Sequence, residues 1–325
     1  MPVLKIFFHD ACFDGTASAA LFAAFYRDVV DARAEVRVHG MTHRDGDPFE
    51  RVAIDGDDNA CVDFRYCPSP RMRWWFDHHR TAFQPASLRA TYEAVASPTQ
   101  FFDPSAPSCT GFVVRAVGER WGWRPPEHLR ELAAWADVID AARFASASHA
   151  LSLETPAQRI ALWVSANRDP VESQRYVDLL AQGGIAAADA DPQIAASIAR
   201  LAEERERVKQ RLSATARVEG GVVWCDLLDD ERPCSPGFLM YQLFPNARHT
   251  VCLSRGSNSV KISVGKNPWA QVEPPFDHDI GALCEAHGGG GHHAVGGVTL
   301  GLGEIAAARA QASSIVAALG RPFAR

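Results

Sequence analysis

The stretch WWFDHHRTAF (74–83) sets a carboxylate and two imidazoles, Asp77, His78 and His79, directly behind a run of large apolar rings. Similar endings recur. VLKIFF (3–8) runs into His9, Asp10, Cys12 and Asp14-Gly15, and ACVDF (60–64) delivers Asp63. LAAWADVIDAARF adds Asp137 and Asp140. A single Asp at a chain turn is ordinarily a cap or turn residue, but two histidines behind an acid and a buried segment do not follow from solvation. Carboxylates crowded into one crevice repel one another and are pushed to protonate. Divalent cations remove that repulsion. A mixed oxygen and nitrogen donor set favours Mn²⁺, with Mg²⁺, Co²⁺, Fe²⁺ and Zn²⁺ also compatible. Two such ions about 3.5–4 Å apart can share a carboxylate and activate water for in-line attack at phosphorus.

These residues need strands to bring them together. VLKIFF, AEVRVHG (34–40), ACVDF and MRWWF (72–76) read as short strands, and TASAALFAAFYRDVV reads as a helix. The expected fold class is therefore α/β, with an amino-terminal parallel sheet. In such sheets ligands bind beyond the carboxyl ends of the strands, where the acids and imidazoles lie. From 109 to 212 the pattern is mostly helical. In DPQIAASIARLAEERERVKQRL, Asp191 is placed to cap, Pro192 opens the helix, and Ile194, Ile198, Leu201, Val208 and Leu212 share a face. Glu203 and Arg207 have i,i+4 spacing. Strand-like GGVVWCDLL, HTVCLSRG and SVKISVG follow, then the glycine cluster GGGGHHAVGG (288–297) and an alanine-rich helix. The expected division is a catalytic domain over 1–185, a connecting helix over 186–218, and a smaller α/β domain over 219–325.

The 325 residues, 47% hydrophobic and 22% charged, suit a soluble protein of two domains. No apolar run approaches the roughly 20 residues that cross a bilayer, so no membrane association is expected. The start of the chain does not resemble a secretion signal. The eight cysteines form no Cys-x-x-Cys pair, which favours a reduced, cytoplasmic setting. A net charge of −6 argues against gripping extended duplexes, which needs a basic surface, and favours small phosphorylated molecules or short oligonucleotides. A homodimer is compatible with the sequence.

In the glycine run the absence of Cβ atoms lets backbone amides, at Gly290 and Gly291 for instance, approach an anion closely. His292 and His293 could hydrogen-bond a phosphate held there, and Arg255 in LSRG could clamp another.

Taken together, these segments resemble the DHH phosphoesterase superfamily. Asp77-His78-His79 matches the motif for which it is named. FFHDACFDGTASAALF, ACVDF and WADVID resemble its first, second and fourth motifs, and GGGGHH with the upstream LSRG resembles its substrate-binding domain. The resemblance covers nearly the whole chain. It implies that His9, Asp14, Asp63, His78 and Asp137 are metal ligands, with Asp63 bridging, His79 facing the phosphate and Asp77 orienting an imidazole. Gly290, Gly291, His292, His293 and Arg255 would bind substrate. In one place the chain departs: where the family commonly has an acid two residues before the Asp-Gly aspartate, it has Cys12. A thiolate ligand, a substitute role for Asp10, and a site with one ligand fewer all remain open. The expected activity is metal-dependent hydrolysis of phosphodiesters in short oligonucleotides or small, including cyclic, nucleotides. Phosphoanhydride hydrolysis of the pyrophosphatase or exopolyphosphatase type and a catalytically weak nucleotide-binding module are the alternatives.

Overall fold

β1 (Val3–His9) has almost no face for water: Leu4, Ile6 and Phe8 point into one core and Phe7 into another. The same double burial holds for β3 (Asp58–Val62) and β4 (Trp74–Asp77). There Ala60, Val62, Trp74 and Phe76 join the first core, and Cys61 and Trp75 the second. Runs of this kind are characteristic of central parallel strands. The structure is a computed structural model that describes all residues except 43–45, 96, 230–235, 257–258, 292 and 323–325.

Two units are defined, residues 1–143 with 152–201, and residues 144–151 with 202–325. In the first, α1 (Phe13–Val29) follows β1 and leads to β2 (Glu35–Met41); after β3 and β4 come α2 (Leu88–Val95) and β5 (Gln100–Phe102). The five strands are parallel in the order β2-β1-β3-β4-β5. α3 (Cys109–Trp121), α4 (Glu127–Asp140), α6 (Pro156–Ala166) and α7 (Pro170–Asp189) complete the first core, while α5 (Ala147–Ala150) belongs to the second unit. The outer edge of β2 is closed by Gln174 of α7. Its side-chain oxygen accepts from Val38 N at 2.8 Å, and its amide donates to Val36 O at 3.2 Å, imitating a neighbouring strand.

α8 (Pro192–Thr215) contains the division between the units. Asp191 Oδ1 caps it by accepting from Gln193 N and Ile194 N, both at 3.0 Å. Arg207 pairs with Glu204 rather than with Glu203. In the second unit β6 (Arg217–Glu219), β7 (Val222–Asp226), α9 (Leu239–Leu243), β8 (His249–Arg255), β9 (Ser259–Lys266), α10 (Ile280–Glu285), β10 (Gly290–Gly291), β11 (Val295–Gly301) and α11 (Ile305–Leu319) follow in turn. The sheet order is β10-β11-β9-β8-β7-β6, antiparallel except between β7 and β8. Val251, Leu253, Ile262 and Val264 of this sheet form a core with Ile315 and Leu319 of α11. Among the described residues no helix is long and apolar enough to cross a membrane.

Candidate metal centre

Strand register assembles the centre. Phe8 is level with Val62, and Val62 with Phe76, so the next residues, His9, Asp63 and Asp77, emerge together at the carboxyl edge. Asp63 N still donates to Phe76 O at 2.9 Å, which keeps Asp63 against β4 after the strand has ended. α1 brings Asp14 to the same edge. Its neighbour Gly15 is required there, because a Cβ would lie 2.2 Å from His9 O.

Asp14 is buried and heavily bonded. Its Oδ2 accepts from Cys109 N at 2.6 Å, and its Oδ1 accepts from Thr110 N at 2.9 Å and Thr110 Oγ1 at 2.6 Å. The start of α3 thus points two backbone N–H groups at this carboxylate, a favourable end for negative charge. Burial, then Asp63 and Asp140, nevertheless push the Asp14 carboxyl well above its usual range.

Asp63 is also buried, but neither of its oxygens accepts a hydrogen bond. Oδ2 lies 3.6 Å from His9 Nδ1, while Oδ1 lies 3.5 Å from His78 Nε2 and 3.7 Å from His79 Nδ1. Burial opposes its charge, but His78 and His9 outweigh burial and hold it below the usual carboxylate range.

His78 is the hub. Its Nδ1 lies 3.0 Å from Ala106 O, a carbonyl that can only accept, so the ring hydrogen sits on Nδ1 in the neutral tautomer. Nε2 then turns a lone pair toward three carboxylates: Asp14 at 3.6 Å, Asp63 at 3.5 Å and Asp140 at 3.5 Å. Four electron-rich atoms facing one another require a positive charge among them. Without a cation the ring takes a proton; burial resists this, yet Asp63, Asp14 and Asp140 lift its pKa to about 10. Two donors each about 2.1 Å from a tetrahedrally bound ion stand about 3.4 Å apart, close to the separations seen. An imidazole tied through its other nitrogen to a carbonyl is also the usual posture of a metal-ligating histidine. The residues therefore fit a metal. Among the described residues, three groups have donor atoms within 4.8 Å of one another: His9, Cys12 and Asp63; Asp63, His78 and His79; Asp14, His78 and Asp140.

Backbone strain gathers here as well. The non-glycine residues with left-handed φ, among those described, are Ala11 (51°), Asp63 (55°) and Ala142 (50°). Asp63 is in the centre, Ala11 adjoins Cys12, and Ala142 follows Asp140 by two residues. Such conformations cost about 1–3 kcal/mol each and persist where surrounding structure imposes them.

Of the expected ligands, Asp137 is in none of the three groups. Asp137 is turned away: its Oδ1 accepts from Ser108 Oγ at 2.5 Å and packs on Gly111, where a Cβ would come within 2.5 Å of it. Asp140, one turn further along α4, faces His78 instead. Asp10 does not join any of the three groups; its Oδ1 accepts from Ala11 N at 2.9 Å, and its carboxyl lies against Gly40. Cys12 does join. Ser108, Thr110 and the Ala106 carbonyl were not legible as site residues, because they act through polar contacts distant in sequence.

In the second unit Arg255 ends β8, exposed. Gly290 pairs with Gly297 and Gly291 with Gly296, forming a close hairpin. A Cβ on Gly291 would lie 2.3 Å from Val295 O, so that glycine serves strand packing, whereas Gly290 faces open space. His292 lies outside the described residues. His293 is engaged within its own unit: Nε2 lies 2.8 Å from Lys266 Nζ and Nδ1 3.5 Å from Asp279 Oδ2. Because an ammonium only donates, Nε2 accepts. Lys266 also pairs with Asp277.

The parallel sheet, the long helix and the second, mixed sheet that follows it make a fold shared with solved structures. No protein-family profile matches the chain, and no curated protein sequence matches it. Solved structures do. PggH from Vibrio cholerae, a pGpG-specific phosphodiesterase, superposes with a TM-score of 0.68 at 18% identity, over 98% of this chain and 99% of PggH. RecJ from Thermus thermophilus in complex with Mg²⁺ gives 0.54 at 18% identity, over 99% of this chain and 50% of RecJ. An exonuclease RecJ bound to manganese gives 0.52 at 16% identity, over 97% of this chain and 90% of that one.

Proposed function

We propose that the chain is a metal-dependent phosphoesterase that hydrolyses phosphodiester bonds in short oligonucleotides or small nucleotides. The observation that supports this most is His78 Nε2, the nitrogen that carries no hydrogen in the neutral tautomer, set 3.5–3.6 Å from three carboxylates. His9, Asp14, Asp63, His78 and Asp140 would hold divalent cations, with Mn²⁺ or Mg²⁺ favoured by the two RecJ structures. Bound there, the metals would supply charge neutralisation at the phosphoryl oxygens and a more acidic water.

The remaining work falls to side chains. Asp63, with its two oxygens directed to different imidazoles, would hold the two halves of the centre in register. His79, fixed by Asp77 through Nδ1, would present Nε2 to a phosphoryl oxygen and hold a proton there. Asp77 raises the proton affinity of that ring: burial lowers it, but Asp77 and Asp63 bring it to about 9. By themselves, Arg255 and the open face of Gly290 in the second unit would bind a phosphate. The match with PggH along nearly its whole length supports a short substrate, since that protein acts on pGpG.

The deciding experiment is turnover of purified protein with Mn²⁺ on a linear dinucleotide, a cyclic dinucleotide, pyrophosphate and a chromogenic phosphodiester, with and without EDTA. EDTA-sensitive cleavage of the dinucleotide is expected. Cleavage of pyrophosphate alone would replace the proposal with phosphoanhydride hydrolysis. Bound metal without turnover on any of the four would make the chain a nucleotide-binding module.

A further inference from the structure

The first group of donors contains a sulfur. Cys12 stands at the N-cap of α1, a position where Ser, Thr, Asp or Asn normally bonds the exposed N–H groups of the first turn. Its side chain makes no such bond. Instead Sγ lies within 4.8 Å of a ring nitrogen of His9 and a carboxylate oxygen of Asp63. The Asp63 carboxylate in that group is 1% exposed and accepts no hydrogen bond at either oxygen, so a buried anionic group points into the space that Cys12 borders. The other cysteine beside the centre, Cys109, is differently occupied: its Sγ donates to Phe76 O at 3.3 Å.

We infer that Cys12 is a thiolate ligand, completing with His9 and Asp63 a cation position whose preference is for soft, thiophilic divalent ions of the Zn²⁺, Co²⁺ and Fe²⁺ class. The donors on the other side of Asp63 differ. Asp14, His78 and Asp140 contribute two carboxylates and one imidazole with no sulfur, a set suited to Mn²⁺ or Mg²⁺. The two positions thus differ in hardness, and the centre takes two different metals when both classes are supplied. Binding at the soft position releases the thiol proton to solvent as the metal–sulfur bond forms. The inference rests on the metal-dependent reading above and deepens it by assigning selectivity to one side chain.

The test uses the full chain and Co²⁺, whose thiolate complexes absorb by sulfur-to-metal charge transfer in the near ultraviolet. Metal content is measured by elemental analysis on the same samples, so the readout does not depend on turnover. The wild-type protein should bind Co²⁺ and show the band. Cys12→Ser and Cys12→Asp should lose it while still binding cobalt at the second position, and Cys109→Ser should keep it. Cys12→Asp should also shift the ratio of Zn²⁺ to Mn²⁺ affinity toward Mn²⁺ by about tenfold or more. Bound cobalt without the band in wild type, or the band surviving in both Cys12 variants, overturns the thiolate ligand and leaves the metal centre standing. A wild-type chain that binds no cobalt and no manganese overturns both readings together.

Discussion

His79 Nδ1 lies 2.7 Å from Asp77 Oδ1, and the same oxygen accepts the backbone N–H groups of His78 at 2.8 Å and His79 at 3.2 Å. One buried carboxylate therefore fixes both the path of the chain past the end of β4 and the direction of one imidazole. Asp77→Asn keeps the shape and the acceptor but removes the charge. The expected result is a fall in kcat of about 10–100-fold with metal content retained. Unchanged kcat, or loss of bound metal by elemental analysis, would contradict an orienting role for Asp77.

Asp140 and Asp137 divide a task that the motif alone cannot apportion. They are three residues apart on α4, and residues at that spacing share a helix face. The choice depends on Ser108, which draws Asp137 aside at 2.5 Å and lies 29 residues away in sequence. Asp140→Asn should lower kcat by about 10²–10³-fold, as expected for loss of one preorganised charge at the reacting centre. Asp137→Asn, which disturbs only the support of α3, should cost far less activity. Equal losses, or the reverse order, would restore Asp137 to the centre.

The same contrast runs through the fold. β1, β3 and β4 were legible because strands buried on both faces must be apolar throughout, and their ends marked the site. β5, three half-buried residues, offered no such run. β11 was hidden by its glycines: Val295–Gly301 is a strand because its seven residues pair with β9, not because of intrinsic preference. Nor could spacing show that residues 144–151 leave the first unit for the second. That assignment depends on contacts such as Trp269 Nε1 donating to Phe144 O at 2.6 Å. At the candidate site, the convergence of strand-borne His9, Asp63 and Asp77 followed from register, whereas helix-borne Asp140 required knowing which turn of α4 faces His78.

Gly15 tests whether close packing of α1 on β1 sets the position of His9. A methyl group there would meet His9 O at 2.2 Å and His9 Cβ at 2.9 Å, and backbone cannot step aside as a flexible side chain can. Gly15→Ala should destabilise the first unit by about 1–3 kcal/mol, the usual cost of overpacking, and should weaken metal binding through His9. A melting temperature and metal affinity equal to wild type would show that the helix start is freer than this packing requires.

His249 makes a prediction away from the centre. It is fully buried in β8, neither ring nitrogen has a hydrogen-bond partner, and its ring meets that of His278 edge-on with centroids 5.7 Å apart. Burial, then His278, Arg248 and Lys266, depress its pKa from 6.5 to about 4, with Asp277 opposing. The sign follows from linkage. Between about pH 6.5 and 4 the unfolded chain binds a proton at this position and the folded chain does not. Stability therefore falls as the solution is acidified through that window, by up to about 3 kcal/mol from this group, and is unaffected by it above the window. His249→Leu removes two unsatisfied buried nitrogens and should be at least as stable at pH 7. Urea unfolding of both proteins at pH 7, 6, 5 and 4.5, followed by hydrogen exchange of the β7, β8 and β9 amides, reads the second unit. The leucine variant should lose distinctly less stability on acidification than its parent; identical slopes would mean that His249 is not the group that takes up the proton.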